Sequence, residues 1–247
     1  MNKKIISVEG NIGVGKSTFI SILKNKWPNC DIVSEPIELW KDLTNEDNKN
    51  ILQMFYEDIN RWSYTFQNLA CITRMMKIED KINESNCEYI FLDRSLATDK
   101  HVFEKMLFEN NNMNLIEHKM YNLWCDFYDK YVRNSKNYTY IYLKCDPNIC
   151  LNRIKKRGRS EEESINLKYL EDLNKYHDEW LLNNKNAIVI DCNESFEEDE
   201  NKQEEFINLI RNKLLVQNDN LEELNKLKIN KVTENENYKK IIKEKSL

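Results

Sequence analysis

The sequence of 247 residues contains little that breaks helices or strands, since it has 4 glycines and 3 prolines. Its helices should therefore be long. No apolar run approaches the roughly eighteen residues that a membrane-spanning helix needs, so we expect no membrane partner. A basic excess is also absent, because 37 lysines and arginines face 42 aspartates and glutamates. The net charge of -5 argues against a nucleic-acid partner.

Cysteine is scattered rather than paired: there are 7 cysteines, and none of them forms a Cys-x-x-Cys motif. The N-terminus enters a β-branched run at Ile5–Val8 without the apolar core of a secretion signal. An odd number of dispersed cysteines without such a signal is typical of reduced, mostly buried thiols. We therefore expect a cytoplasmic protein.

Short β-branched and aromatic runs alternate with longer segments of helical spacing, which predicts an α/β fold with a parallel sheet. The predicted strands are Ile5–Val8, Asp31–Ser34, Tyr89–Leu92, Tyr138–Leu143 and Ala187–Ile190. The predicted helices include Thr18–Lys26, Asn50–Ser85 and Leu115–Arg133. Residues 1–216 are predicted to form one domain. Residues 217–247 form a Lys/Glu/Asn-rich tail, either a solvated helix or disordered.

The strongest local motif is Gly10-Asn11-Ile12-Gly13-Val14-Gly15-Lys16-Ser17, which fills every fixed position of G-x-x-x-x-G-K-[ST] between a predicted strand and a predicted helix. Glycines let backbone N–H groups turn inward onto phosphate oxygens, and the start of the helix adds partial positive charge. Lys16 can reach the β- and γ-phosphates of a nucleotide, and the Ser17 hydroxyl suits Mg²⁺. The expected phosphate-binding residues are Gly10, Asn11, Gly13, Gly15, Lys16, Ser17 and Thr18.

A basic motif, Arg153-Ile154-Lys155-Lys156-Arg157-Gly158-Arg159, precedes an acidic run. Arg153 and Arg157 are spaced i, i+4 and share one face of a helix, and Gly158 can bend the chain to bring Arg159 to the same point. Converging guanidinium groups suit a phosphoryl group in transfer. Alone, the segment is as well explained as a basic helix end neutralised by the acidic run. Beside a P-loop, we interpret it as a lid.

Two carboxylates follow predicted parallel strands, at the edge where α/β folds carry their sites. Glu35 ends the second strand and Asp93 the third, with Arg94 next in the chain. An acid at a strand end is by itself most often a helix cap or a surface group. With a P-loop in the same chain, Glu35 becomes the candidate base for a hydroxyl acceptor, Asp93 the candidate metal partner and Arg94 a charge stabiliser.

Several motifs occur in a fixed order between the N-terminus and Phe196. They are Glu9-Gly10-Asn11-Ile12, Gly15-Lys16-Ser17-Thr18-Phe19, Glu35-Pro36 with Trp40, Leu52-Gln53-Met54-Phe55-Tyr56, Arg61-Trp62-Ser63-Tyr64-Thr65-Phe66-Gln67, Asp93-Arg94-Ser95 and Arg157-Gly158-Arg159-Ser160-Glu161-Glu162. In this order they resemble the deoxyribonucleoside kinases, particularly the deoxycytidine/deoxyguanosine kinase branch. The resemblance implies a P-loop kinase fold: a five-stranded parallel sheet, helices on both faces and an Arg-rich lid. It also implies transfer of the γ-phosphate of ATP, with Mg²⁺, to the 5′-hydroxyl of a deoxyribonucleoside in nucleotide salvage.

The resemblance implies roles for individual residues. Glu35 matches the general base for the 5′-hydroxyl, and Lys16, Arg94 and Arg153 complete the predicted catalytic set. Tyr56 matches, with Glu162, the pair that holds the sugar 3′-hydroxyl. The remaining matches are Gln67 for the base edge, Trp40, Leu52, Phe55, Phe66 and Phe103 for the walls around the base, Arg153, Arg157 and Arg159 for the lid, and Phe196 for the donor's base. Periodicity alone would assign the aromatic residues of this set to the core.

Arg74 and Asp99 match an arginine–aspartate pair typical of the cytidine/purine branch. Such a pair can present donors and acceptors to a base edge, and it fills the space that a thymine methyl would need. Ala70 keeps the pocket roomy. We therefore expect deoxycytidine, deoxyadenosine or deoxyguanosine to be favoured over thymidine. The position of Asp93 more often carries glutamate in this branch, which would alter its reach to a metal by about one methylene.

Two other functions remain open from the sequence. A nucleoside monophosphate kinase of the thymidylate-kinase type would need a further arginine near Glu35, where the sequence is acidic and apolar. A nucleotide-dependent switch, or another non-catalytic nucleotide-binding module, would be expected to carry an Asn-Lys-x-Asp motif, which we do not find in a suitable place. The resemblance further implies a homodimer formed through the long helices Asn50–Ser85 and Leu115–Arg133.

Overall fold

The computed structural model describes residues 3–133, 138–159 and 162–215. A five-stranded sheet has the order β2-β3-β1-β4-β5, and all four neighbouring strand pairs are parallel. The strands are β1 Lys4–Gly10, β2 Cys30–Val33, β3 Tyr89–Asp93, β4 Thr139–Lys144 and β5 Ala187–Asp191. The predicted five-stranded parallel α/β fold is therefore confirmed. Since the strands are parallel, the ends of β1, β2 and β3 meet at one edge of the sheet.

Helices connect the strands. They are α1 Lys16–Lys26, α2 Ile37–Asp42, α3 Ile51–Glu57, α4 Ile59–Glu84, α5 Leu96–Thr98, α6 Lys105–Glu109, α7 Leu115–Phe127, α8 Pro147–Arg157 and α9 Leu167–Leu181. Two π-helical turns, Asp99–Glu104 and Tyr128–Val132, precede α6 and follow α7. Residues 200–215 are also helical.

The prediction of one continuous helix over Asn50–Ser85 is wrong, because the chain breaks at Asp58 between α3 and α4. The Asp58 carboxylate accepts a hydrogen bond from the backbone N–H of Arg61 at 3.1 Å, which is the bond of a helix N-cap. A capping residue in the middle of an apolar pattern therefore starts a second helix.

The core packs β-branched and aromatic side chains of the sheet against α4. One buried cluster joins Ile5, Val33, Ile90 and Leu92 of the sheet to Ile78 and Ile82 of α4. These contacts fix α4 against the sheet, so that residues earlier in the helix reach the strand ends.

The chain has two compact units, Met1–Gln203 and Glu204–Leu247. Residues of the first unit form the sheet and the site described below. The predicted tail, residues 217–247, lies outside the described residues. None of the helices in the described ranges is both long and apolar enough to cross a membrane.

Candidate active site

The loop between β1 and α1 depends on two glycines. Gly13 has φ +80°, and a Cβ added there would lie 2.5 Å from the carbonyl oxygen of Cys150. Gly15, the N-cap of α1, has φ +106°, and its added Cβ would lie 3.1 Å from the Phe196 ring. Backbone conformation and close packing both require glycine here. The loop leads into the N-terminus of α1, where free N–H groups and the helix dipole favour a phosphate.

Lys16 is buried at the start of α1. Its Nζ donates to the carbonyl oxygens of Gly10 at 3.2 Å and Asn11 at 3.0 Å. Burial, followed by the positive charge of Arg94, lowers the pKa of Lys16 to about 7. A phosphate bound beside Lys16 would favour its charged form. The glycine cradle and this destabilised cation together fit the triphosphate of a nucleotide.

Glu35 follows β2, and its carboxylate lies between two guanidinium groups. Arg94 Nη1 donates to Oε1 at 3.2 Å and to Oε2 at 3.1 Å, and Arg74 Nη2 donates to Oε1 at 2.8 Å. Burial alone would raise the pKa of Glu35, but Arg94 and Arg74 outweigh it and lower that pKa to about 2. Glu35 is therefore ionised at neutral pH and can accept a hydrogen bond from a substrate hydroxyl.

Arg94 reaches Glu35 from a strained backbone. Its φ is +65°, a left-handed conformation that is uncommon outside glycine, and its N–H donates to Val8 O at 3.1 Å. Its guanidinium lies 5.2 Å from the centre of the Phe103 ring. Its Nη2 also donates to Gly10 O at 3.4 Å, so Arg94 is held between the start of the phosphate loop and Glu35.

Arg74 and Asp99 form the predicted pair. Arg74 Nε donates to Asp99 Oδ2 at 2.8 Å and Nη2 to Oδ1 at 3.3 Å. Arg74 Nη1 also donates to the carbonyl oxygen of Asp93 at 2.9 Å. Burial raises the pKa of Asp99, and the charge of Arg74 opposes that effect. The same arginine thus contacts Asp99, the end of β3 and Glu35.

A cleft of about 910 Å³, its open mouth included, lies beside Glu35. Its lining contains the predicted acceptor residues Glu35, Trp40, Leu52, Tyr56, Phe66, Gln67, Ala70, Arg74, Arg94, Asp99, Phe103 and Glu162. Gln67 is buried, and its Oε1 has no hydrogen-bond partner among the described residues. Phe55 is the exception, since it does not line this acceptor cleft. Its ring instead packs 4.8 Å from that of Phe66, which supports the cleft wall indirectly.

The lid arginines divide into two groups. Arg157 and Arg159 both pair with Glu162, at 2.5 Å and 3.5 Å. Arg153 Nη1 instead donates to Val14 O at 3.1 Å, and its Nη2 donates to Cys192 O at 3.0 Å. All three arginines line one cleft over the phosphate loop, and their convergence on a phosphoryl group stays a prediction. The carbonyl groups hold Arg153 between the phosphate loop and the end of β5.

A second cleft, of about 1360 Å³ with its open mouth, lies over the phosphate loop. Its lining contains Gly13, Gly15, Lys16, Ser17, Thr18, Arg153, Arg157, Arg159 and Phe196 from the predicted donor set. Phe196 is 3 % exposed and packs edge-on against Phe19 at 6.0 Å, so it forms a wall of this donor cleft. Gly10 and Asn11 contribute carbonyl groups to Lys16 and do not line either cleft.

The two clefts meet at a common set of residues: Gly13, Lys16, Ser17, Arg157 and Arg159 line both. A phosphate bound there would face the acceptor cleft and Glu35 on one side and the rest of a nucleotide on the other. We call this shared set the transfer point. Its cations surround the position where a phosphoryl group would pass between two ligands.

A divalent cation also fits the residues present. Asp93 Oδ1 is buried without a hydrogen-bond partner among the described residues, and Ser17 lies at the transfer point. Burial, followed by the charge of Glu35, raises the pKa of Asp93. Within residues 3–133, 138–159 and 162–215, no group of three His, Cys, Asp or Glu side chains could hold a metal ion. A metal would therefore depend on ligands from the nucleotide phosphates.

Sequence reasoning missed several residues. Glu9, fully buried in β1, accepts hydrogen bonds from the hydroxyls of Ser7, Ser95 and Thr98, which tie β1 to the segment after β3. An acid inside an apolar strand was the available signal. Lys41 lines the acceptor cleft and Lys156 the donor cleft. For Lys156 the available signal was its spacing: it is three residues after Arg153 and therefore lies on the same face of a helix.

A parallel sheet that carries a phosphate loop, a cationic transfer point and a buried carboxylate beside a second cleft defines a P-loop phosphotransferase with a small-molecule acceptor. The model of the deoxynucleoside kinase family matches residues 6–216 of the chain. The chain belongs to this family, and it is a deoxynucleoside kinase.

Several curated relatives cover most of the chain. Deoxycytidine kinase 1 of Xenopus laevis is 35% identical over 236 residues, which is 84% of this chain and 89% of the relative. Human deoxycytidine kinase is 38% identical over 196 residues, 72% of this chain and 75% of the relative. The mitochondrial deoxyguanosine kinase of Xenopus laevis is 31% identical over 237 residues, 85% of this chain and 89% of the relative.

Proposed function

We propose that the protein transfers the γ-phosphoryl group of ATP to the 5′-hydroxyl of a deoxyribonucleoside, with deoxycytidine, deoxyadenosine or deoxyguanosine favoured over thymidine. The observation that carries this proposal is the meeting of two clefts at Gly13, Lys16, Ser17, Arg157 and Arg159, with ionised Glu35 on the acceptor side. The curated relatives support it, since they are named for deoxycytidine and deoxyguanosine. The free thiols of all seven cysteines support a reducing compartment, the cytoplasm.

Glu35 would act on the acceptor hydroxyl. The 5′-oxygen attacks the γ-phosphorus, the bond from that phosphorus to the β,γ-bridging oxygen breaks, and the hydroxyl proton passes to Glu35 while ADP leaves. A carboxylate with a pKa of about 2 is a weak base. In a loose transition state the hydroxyl becomes acidic only as its bond to phosphorus forms, so orientation of the hydroxyl matters more than basicity.

The cations of the transfer point would act on the phosphoryl group. Lys16 and the guanidinium groups of Arg157 and Arg159 can compensate the charge spread over its oxygens. Mg²⁺, when bound, would neutralise charge on the β- and γ-phosphates. Ser17 and the unpartnered Oδ1 of Asp93 are the residues that would hold it, directly or through water.

Base selection would rest on the buried polar groups of the acceptor cleft. The free Oε1 of Gln67 can accept a hydrogen bond from an exocyclic amino group. Arg74 and Asp99, paired with each other, line the same cleft, and they would exclude the 5-methyl group of thymine. Tyr56 and Glu162 line the same cleft and are available to the sugar 3′-hydroxyl.

We also propose a homodimer through α4 and α7. Exposed apolar side chains follow one stripe of α7 and continue onto α4. They are Ile116, Met120, Leu123, Trp124 and Phe127 of α7, with Ile72 and Met76 of α4. A contiguous stripe of exposed apolar side chains, unlike single scattered ones, is typical of a protein–protein interface.

The test is phosphorylation of the four natural deoxyribonucleosides and their monophosphates by purified protein with ATP and Mg²⁺. Monophosphates belong in the assay because the cation of Lys41 lines the acceptor cleft. We expect turnover of deoxycytidine or a purine deoxyribonucleoside, with thymidine poor. Strong thymidine turnover would overturn the base assignment alone, whereas turnover of monophosphates only would overturn the assignment of the acceptor.

Arg74→Met with Asp99→Ala tests the base pocket directly. Removal of both partners avoids an unpaired buried charge and makes room for a methyl group. The double variant should accept thymidine, measured as kcat/KM relative to deoxycytidine. A double variant that still rejects thymidine would show that other residues exclude the methyl group.

A further inference from the structure

One wall of the donor cleft is the last turn and a half of α8. Arg153, Lys156 and Arg157 line this cleft, and their spacing of i, i+3 and i+4 gives them one face of the helix. Lys155 does not line either cleft. Two adjacent lysines on the same helix therefore differ in whether they face the nucleotide site.

The cations around the donor cleft differ in what already binds them. Lys16 and Arg153 donate to backbone carbonyl groups, and Arg157 and Arg159 pair with Glu162. Lys156 has no ion pair or hydrogen bond to another described residue. It is thus the cation of this lining whose charge is left for a ligand.

The cations also differ in which cleft they reach. Arg157 and Arg159 line both clefts and belong to the transfer point, whereas Lys156 lines the donor cleft alone. Arg153, one turn earlier on the same face, is bonded to Val14 O of the phosphate loop. Lys156 follows it on this helical face and lines the same cleft as the phosphate-loop residues Val14 and Gly15.

From this geometry we infer that Lys156 binds the part of the donor that is not transferred, the α- and β-phosphates that ATP and ADP share. The inference rests on the proposed function, which puts a nucleoside triphosphate in this cleft. A contact to the shared phosphates is made equally before and during transfer. It strengthens donor binding without accelerating the chemical step.

Lys156→Met and Lys155→Met form a matched pair, because both remove one charge from neighbouring positions of α8. Binding of ATP and of ADP would be measured by titration calorimetry without acceptor, together with donor KM and kcat. We expect Lys156→Met to weaken both nucleotides by roughly 3- to 10-fold, as for a partly solvated charge pair. The loss should fall on donor KM rather than on kcat, Lys156→Arg should restore binding, and Lys155→Met should bind both nucleotides like the wild type.

Three outcomes would overturn the inference: equal binding by Lys156→Met and wild type, equal losses in the two methionine variants, or a loss for ATP without a loss for ADP. The last would mean a contact to the γ-phosphate. Failure of the proposed function is distinguishable, because the wild-type protein would then fail to bind ATP or to phosphorylate any deoxyribonucleoside.

Discussion

Arg74 donates through Nη2 to Glu35 Oε1 at 2.8 Å while Nε and Nη2 bind the carboxylate of Asp99. All three side chains are largely buried, with exposed fractions of 3%, 12% and 3%. The arginine assigned to base selection therefore also holds the carboxylate assigned to the acceptor hydroxyl. One guanidinium group joins the two parts of the acceptor site, so changes in the base pocket should reach the reaction centre.

The first prediction concerns the acid limb of the pH profile. Burial raises the pKa of Glu35, and Arg94 and Arg74 lower it to about 2. Without Arg74 the pKa of Glu35 must rise. Only the ionised carboxylate can accept the proton of the hydroxyl. On acidification the variant should therefore lose activity at a higher pH than the wild type does. In Arg74→Met/Asp99→Ala we expect the acid limb of kcat to move up by about one to three pH units.

Asp99→Ala alone is the matched control, because it leaves Arg74 on Glu35. Both variants lose the Arg74–Asp99 pair of the base pocket, but only the double variant removes Arg74 from Glu35. The acid limb of Asp99→Ala should therefore stay close to that of the wild type. An unchanged acid limb in the double variant would mean that Arg94 alone fixes the ionisation of Glu35.

The second prediction separates chemistry from binding. Glu35→Gln keeps the shape of the side chain but cannot take a proton, so kcat should fall by roughly 10²–10⁴-fold while nucleoside affinity changes little. Steady-state kinetics and equilibrium binding of the nucleoside would measure the two effects. Glu38→Gln, an exposed neighbour on α2, should behave like the wild type. A near-normal kcat for Glu35→Gln would remove Glu35 as the base.

The phosphate loop and the strand-end acids could be predicted from the sequence because their geometry is local. Lys16 follows its glycines directly, and Glu35 and Asp93 come just after strands whose parallel order brings them to one edge. The bond from Arg74 to Glu35 joins residues 39 apart in the sequence. It depends on how α4 packs against the sheet, which no local pattern specifies.

The remaining site residues could not be placed from the sequence, because their positions depend on where each side chain points in the folded protein. Phe55 and Phe66 are both expected to wall the base, yet only Phe66 lines the acceptor cleft. The two residues lie on different helices, α3 and α4, and the packing of those helices decides which ring reaches the cleft. Arg153 shares a helical face with Arg157 as expected, but carbonyl groups at the end of β5 capture its guanidinium. Contacts of that kind depend on tertiary structure, and the spacing of residues along the chain does not predict them.

The third prediction concerns protons taken up on nucleotide binding. The pKa of Lys16 is lowered to about 7 in the free protein, and the negative charge of a bound phosphate should raise it again. ATP binding near pH 8 should therefore take up close to one proton, and ATP affinity should fall as the pH rises above about 7. Calorimetry in buffers of different ionisation enthalpy measures this uptake.

Lys16→Met provides the control for that titration, since it cannot take up the proton whatever its remaining affinity. ATP itself should contribute little proton change near pH 8, because the last pKa of a phosphate group lies at about 6. The variant in the same buffers measures what remains of that contribution. Equal proton uptake by the variant and the wild type would assign the proton to another group.

The fourth prediction tests the apolar stripe of α7. Leu123 is 69% exposed and lies between Met120 and Trp124, so a carboxylate there would be buried against apolar groups in the proposed dimer. Leu123→Asp should raise the dimer dissociation constant by at least about 30-fold, the effect of an interface residue worth about 2 kcal/mol. Light scattering over a concentration series would give the mass.

Leu182→Asp, at an exposed leucine just after α9, is the control and should leave the dimer intact. A monomeric wild type, or equal dissociation of the two variants, would contradict the assignment of this stripe.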